Sequence, residues 1–207
     1  MREPAPSPRS EIRGIPRITD KARDFTIGMT AQIAPGRSGR IKPNERRMRE
    51  VENVRNLVQK ELDLLRELIG ADVAAVAWKR KEDGKWAWWA ASGCADDRYR
   101  KLTIRLGRGL EGSVTRIGRP LVLDGNDPDT ARKREESPLM LVEQLQAAAA
   151  YPIAGSAEVH GVLLVGHRQL HAYSQENLLV VQLSARWLGQ LRDYGETEFP
   201  IHFTPSS

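Results

Sequence analysis

Large apolar residues return at steps of three and four between positions 48 and 69: Met48, Val51, Val54, Val58, Leu62, Leu65 and Ile69. That is the period of one helical face, and Leu57, Leu64 and Leu68 widen the stripe. Asn44 is placed to cap this helix and Gly70 to end it. A second helix is predicted from the cap Ser174 to about Tyr194. Leu178, Leu179, Val180, Val181, Leu183, Trp187, Leu188 and Leu191 make it apolar around well over half its circumference. Between the helices the period falls to two. Segments 73–79 and 85–92 read as a hairpin about the charged Arg80-Lys-Glu-Asp-Gly84 turn. Trp86 and Trp88 fall on one face of its second strand and Trp89 on the other, so both faces of the sheet need cover. Further strands are expected at 102–106 and 121–123, and a second hairpin at 146–153 and 159–168 turning at Ala154-Gly155-Ser156. Short helices are expected at 110–117 and 138–145. The polar stretch 124–137 reads as a surface loop with at most one helical turn. This order predicts an α+β fold: an antiparallel sheet with the first and last helices on one face and short helices and loops on the other. No internal repeat is visible.

A helix of about 25 residues extends ~37 Å, longer than a small domain needs. Either it packs on its own sheet alone or its surplus length pairs with a second chain. The apolar circumference of the last helix favours a homodimer through helices 45–69 and 174–194.

Charge divides the 207 residues unevenly. Residues 1–43 carry the whole net charge of +5, and the remainder is balanced. The same segment holds Pro4, Pro6, Pro8, Pro16, Pro35 and Pro43 and few large apolar residues, so it reads as a disordered basic arm. Its Lys and Arg attract phosphates, but they are scattered and lack interleaved aromatics, so a solvated tail is favoured over a nucleic-acid contact. The domain is expected at 44–194 and a tail at 195–207. MREPAPSPRS has no apolar signal-peptide core, and no apolar run spans a membrane. With Cys94 as the lone cysteine there is no intrachain disulfide, and together these features place the protein in the cytoplasm.

Candidate chemistry gathers in 101–124, KLTIRLGRGLEGSVTRIGRPLVLD. Gly107, Gly109 and Gly112 permit a tight bend that opens a helix, whose first N–H groups attract an anion or polar group. The segment is therefore expected to form a small binding mouth between two strands. The same glycines match the dinucleotide pattern GxGxxG, but 110–117 is too short for a parallel crossover and Asp124 comes too early for the ribose. His160 and His167 are an odd number apart on one strand and face opposite sides, and His171 follows in a loop, so no metal site is expected. Cys94, at a strand end, reads as a small hydrophobe rather than a nucleophile.

Residues 50–192 resemble the GAF domain family. The likeness rests on RLGRGLEGSV before PLVLD, then AAAAYPI, then GVLLVGHR followed by YSQENLLVVQLSARWLGQL. It implies a regulatory module that binds a small ligand between the sheet and its overlying loops, and dimerises through the terminal helices. Within the family the chain is most similar to free-standing bacterial nitrate receptors that report to a sensor histidine kinase of a two-component system. That resemblance implies a ligand site at Trp88, at Gly109, Leu110, Glu111 and Gly112, and at Tyr151, Pro152 and Ile153. The basic arm is extra to that group. The implied ligand is nitrate or another small anion, with no cofactor. Another metabolite or a nucleotide, or a module that only dimerises, stays open. An enzyme resembling the GAF-type free methionine sulfoxide reductases is disfavoured, because those use several cysteines.

Nitrate needs donors but no dedicated lysine. Main-chain amides at Leu110 and Ile153 and the Tyr151 hydroxyl are candidates, each contributing ~1.5–3 kcal/mol, with Trp88 as an apolar wall. Glu111 must then point outward, capping its own helix, or the ligand is not an anion.

Overall fold

The computed structural model describes residues 43–124, 129–155 and 158–198. The basic arm up to residue 42, the tip of the 124–137 loop, the Ser156 turn and the tail from residue 199 lie outside the described residues. Helix α1, Pro43–Ile69, starts one residue before the expected cap. Proline suits that first position because its missing N–H would have no partner there. Gly70 closes the helix in the left-handed conformation, φ 66°, and the Ala71 amide bonds back to Arg66 O at 2.9 Å.

The sheet has six strands: β1 (Val73–Lys79), β2 (Trp86–Ser92), β3 (Thr103–Ile104), β4 (Leu121–Leu123), β5 (Ala147–Ala154) and β6 (Val159–His167). Their spatial order is β3-β2-β1-β6-β5-β4, with every pairing antiparallel. The short helices α2 (Gly109–Ile117), α3 (Asp129–Glu135) and α4 (Pro138–Val142) follow β3 and β4 in the chain. Helix α5, Gln175–Glu198, runs past the expected end at Tyr194.

Alternation divides the core in two. Ala74, Val76 and Trp78 of β1 pack with Leu163, Val165, Tyr151 and Ile153 under α1 and α5. Val73, Ala75, Ala77, Ala148, Ala150, Val162 and Leu164 pave the opposite face, where Trp88, Leu110, Val114, Leu139, Met140 and Leu145 cover them. Small residues on that face let α2 come close. Trp89 is the extra residue of a β-bulge, for Ala77 pairs Trp88 while Val76 pairs Ala90. Trp89 and Ala90 thus both belong to the helical side and Trp88 to the other, as the tryptophan spacing predicts.

Two elements are shorter than expected. β3 keeps only Thr103–Ile104, and Leu106 is exposed, because its sole neighbour in the sheet is the start of β2. Helix α4 ends at Val142, and Gln144 takes a positive φ of 56°. The 124–137 stretch is more ordered than a plain loop, since α3 occupies its second half. Arg168 ties the strand ends together: its NH2 donates to Glu143 Oε2 at 2.9 Å and Gly93 O at 3.0 Å, and its amide to Asp72 Oδ2 at 2.7 Å.

Leu62 carries the stripe of α1 into the core and is fully buried. Leu62→Ala is expected to cost about 2–5 kcal/mol, read from urea denaturation; a change under half a kcal/mol would show that α1 does not contribute to the core.

Candidate functional site

The glycine bend joins opposite edges of the sheet. β3 and β4, its flanking strands, are not neighbours, so α2 crosses the sheet face instead of sitting in a mouth between two strands. That corrects the expectation from 101–124, and it also removes a parallel βαβ unit. The bend is compact. Gly107 N donates to Gly112 O at 2.6 Å and Arg108 N to Arg105 O at 3.0 Å. Gly109, at φ 65°, passes so close to Glu136 that a Cβ would lie 2.7 Å from its carbonyl oxygen. Gly112 is as confined, with Arg105 O 2.0 Å from where a Cβ would stand. Both glycines are there for backbone approach, so a bulkier residue at 109 strains the fold itself. Gly109 N also donates to Glu136 Oε2 at 3.3 Å. The chain's own carboxylate thus sits at the start of α2, where a free anion-binding terminus was expected.

Glu111 does not point outward. It is 1 % exposed, and its Oε2 accepts a 2.7 Å hydrogen bond from Ser137 Oγ at the cap of α4. Oε1 has no hydrogen-bond partner. The local packing explains the direction: Leu110 and Val114 must face the sheet, and Glu136–Ser137 close over the same end of α2. Burial drives the carboxyl up to about 7, against the opposing pull of Ser137 and of its own amide. Trp88, from β2, is fully buried in the same layer, and its Nε1–H also lacks a partner. Buried polar atoms without partners are costly, which makes these two candidates to bond something other than the chain.

The Tyr-Pro-Ile segment is divided. Alternation along β5 sends Tyr151 and Ile153 to the α1/α5 side, opposite Trp88. The Tyr151 hydroxyl therefore does not join Trp88 and Leu110 in one pocket, as the resemblance implied. Pro152 pairs with Val162 beyond the end of β4, where no neighbouring strand needs its missing N–H. The surface clefts among the described residues include two of about 660 and 480 Å³. The first is lined by Lys79, Lys85, Trp86, Leu106, Arg116 and Ile117 among others, the second by Gln59, Cys94, Asp97, Tyr99 and Arg100 among others. Neither is lined by Trp88 or Glu111.

Sequence reasoning missed Ser137 and Glu136, although Ser-Pro before an apolar run is a legible cap signal. It also missed that His167 and His171 stack, with ring centroids 3.7 Å apart and Tyr173 edge-on to both. Burial and His171 lower the His167 pKa. Among the described residues no three His, Cys, Asp or Glu side chains form a metal cluster. Cys94 is half-buried, and burial followed by Glu143 raises its thiol to about 12, so it holds its proton at neutral pH. No helix of the described residues is long and apolar enough to cross a membrane.

The sequence profile of the GAF domain matches residues 53–191. The chain belongs to the GAF domain family. Among solved structures this GAF domain is similar to the NreA protein of Staphylococcus aureus, in a form mutated in its nitrate-binding site. Identity is 29 % over 60 % of this chain and 94 % of that one, with a TM-score of 0.51. It also matches the GAF domain of a phosphoenolpyruvate-protein phosphotransferase from Coxiella burnetii: 17 % identity, 75 % and 97 % coverage, TM-score 0.60. A type II free methionine-R-sulfoxide reductase from Thermoplasma acidophilum shares the fold, at 19 % identity, 69 % and 94 % coverage and TM-score 0.55. No curated protein matches the chain.

Glu111 links pH to stability. At pH below 4.5, its ordinary value, folded and unfolded chains both hold the proton; from there to about 7 only the folded chain keeps it. Its contribution is therefore full below 4.5 and lost as pH rises towards 7. At about 1.4 kcal/mol per unit the loss is roughly 3 kcal/mol. Urea titrations of wild type and Glu111→Gln should diverge across that window, with wild type falling behind; parallel curves would mean that Glu111 keeps an ordinary pKa.

Proposed function

We propose that this GAF protein is a sensor that binds nitrate or a similar small anion and modulates a partner sensor histidine kinase. The observation that carries the ligand is the Trp88 indole N–H, fully buried in the layer between sheet and short helices and lacking a partner. An anion accepts from such a donor, and the surrounding apolar residues strengthen the bond by excluding water. The likeness to a nitrate-binding GAF protein at 29 % identity supports the same ligand, and the kinase partner rests on the resemblance alone. Nitrate should raise the Tm of the wild-type protein more than chloride, amino acids or cyclic nucleotides do. Trp88→Phe keeps the ring, removes the donor and should weaken nitrate by about 10–100-fold, a charged hydrogen bond contributing ~1.5–3 kcal/mol. The autophosphorylation rate of the partner kinase should change with nitrate only when this protein is present. A nitrate response equal to that of chloride removes nitrate as the specific ligand, and no response to any anion removes the anion reading.

A second reading has one observation in its favour. Ionised, Glu111 would present an acceptor at Oε1 to a neutral or cationic metabolite rather than to an anion. A Tm rise with an amino acid or nucleoside and none with nitrate would select it.

The partner for the helical face is a second copy of the chain. Leu57, Leu64 and Leu68 of α1 and Leu179, Leu183 and Tyr194 of α5 are exposed on helices that pack against each other. Stripes of this kind support a dimer built from both helices. Sedimentation should show a dimer, and Leu64→Glu with Leu68→Glu should give a folded monomer; a monomeric wild-type protein excludes this interface.

A further inference from the structure

An anion site that contains a carboxyl group works only if that carboxyl is neutral, and the hydrogen bonds about Glu111 say where its proton goes. The Ser137 hydroxyl accepts from the Met140 amide at 3.4 Å and donates its one proton to Glu111 Oε2 at 2.7 Å. Oε2 is thereby the acceptor oxygen of the carboxyl. Oε1, buried and unpartnered, is the oxygen left to carry a proton and to donate. Leu110 next to Glu111, and Leu139 two residues beyond Ser137, belong to the apolar cluster that contains Trp88.

We propose that the site takes up an anion and a proton together, with Glu111 Oε1–H and Trp88 Nε1–H as the two donors that hold the anion. This rests on the anion reading above. In the step one solvent proton joins the Glu111 carboxylate and one anion enters, so the net charge of the site is unchanged. No new covalent bond forms to the anion. Glu111 is the residue that sets specificity: an ionised carboxylate repels an anion, and a protonated one accepts it as a donor.

The other charged groups nearby do not replace this proton. On α2 itself Arg116 is exposed, as is Arg108 at its cap. Between the short helices Glu136 bonds to Gly109 N. Helix α3 brings Arg132, Lys133, Arg134 and Glu135, while α4, β4 and β5 have no ionisable carboxyl, amine or imidazole. His160 and His167 lie at the two ends of β6. Among the described residues none forms an ion pair with Glu111, whose hydrogen-bond partner is Ser137. Arg134 Nε is itself buried and unpartnered, and it makes no hydrogen bond to Glu111. Burial places the Glu111 transition near neutrality, at about 7.

The test is calorimetric titration of the wild-type protein with sodium nitrate from about pH 5.5 to 8.5, in two buffers of different ionisation enthalpy. Affinity is expected to be level at the acid end and to fall about tenfold per pH unit above the Glu111 transition. Uptake of close to one proton per nitrate is expected at the alkaline end. Glu111→Gln supplies a permanent neutral donor, so its affinity should be flat with pH and tighter than that of wild type by about tenfold one unit above the transition. Nitrate binding that is level across the range with no proton exchange overturns the coupling and leaves the anion reading standing. Absence of nitrate binding at every pH overturns both.

Discussion

Dry burial of both sheet faces is the constraint from which the rest follows. β1, β6 and β5 are apolar on each side, so the fold must supply two covers. Long helices α1 and α5 cover one face with large side chains. The other is paved with alanines and covered by short pieces of helix, which approach closely only because the residues beneath them are small. Thick cover and thin cover are unequal in what they permit. The α1/α5 side is mostly apolar but buries Arg192 over the Trp78 indole, and the α2/α4 side retains a buried carboxyl, a hydroxyl and the Trp88 indole N–H.

Buried Glu111 and Trp88 and the exposed leucines of the long helices thus lie on opposite sides of one sheet. Groups that can bond a small molecule lie beneath α2 and α4; the unpartnered leucines lie on the outer faces of α1 and α5. Arg192 ties α5 to the strand ends on the α1/α5 side. It is buried, stacks over Trp78 at 5.2 Å, and donates from α5 to His160 O at the start of β6 at 2.7 Å.

Glu111 shows how a local rule and a global one compete. An acidic residue in the first turn of a helix is favoured at the surface, where the helix dipole and water both stabilise it. Here Leu110 and Val114 must meet the sheet, and the turn before α4 lies across the same end of α2. Glu111 is enclosed as a consequence, and Ser137 is the partner that makes the enclosure tolerable.

Element order, the two helical stripes, the first hairpin and the split of Trp88 from Trp89 were legible in the residues, because side-chain periodicity is a local property of the backbone. The family was legible too, since glycines at 107, 109 and 112 answer to backbone geometry that few other residues accept. Which strands become neighbours was not. That β3 and β4 occupy opposite edges depends on pairing over long separations, and the same letters fit a mouth between adjacent strands equally well. Nor did the sequence reveal that Tyr151 faces away from Trp88, since alternation along β5 gives relative faces and only packing against α5 says which face is which. Glu111, Ser137 and Glu136 met through the crossing of α2 under the turn before α4, a contact between residues some 26 positions apart. Periodicity assigns each residue a face; only the folded chain decides what that face touches, because contacts between distant segments depend on every element lying between them.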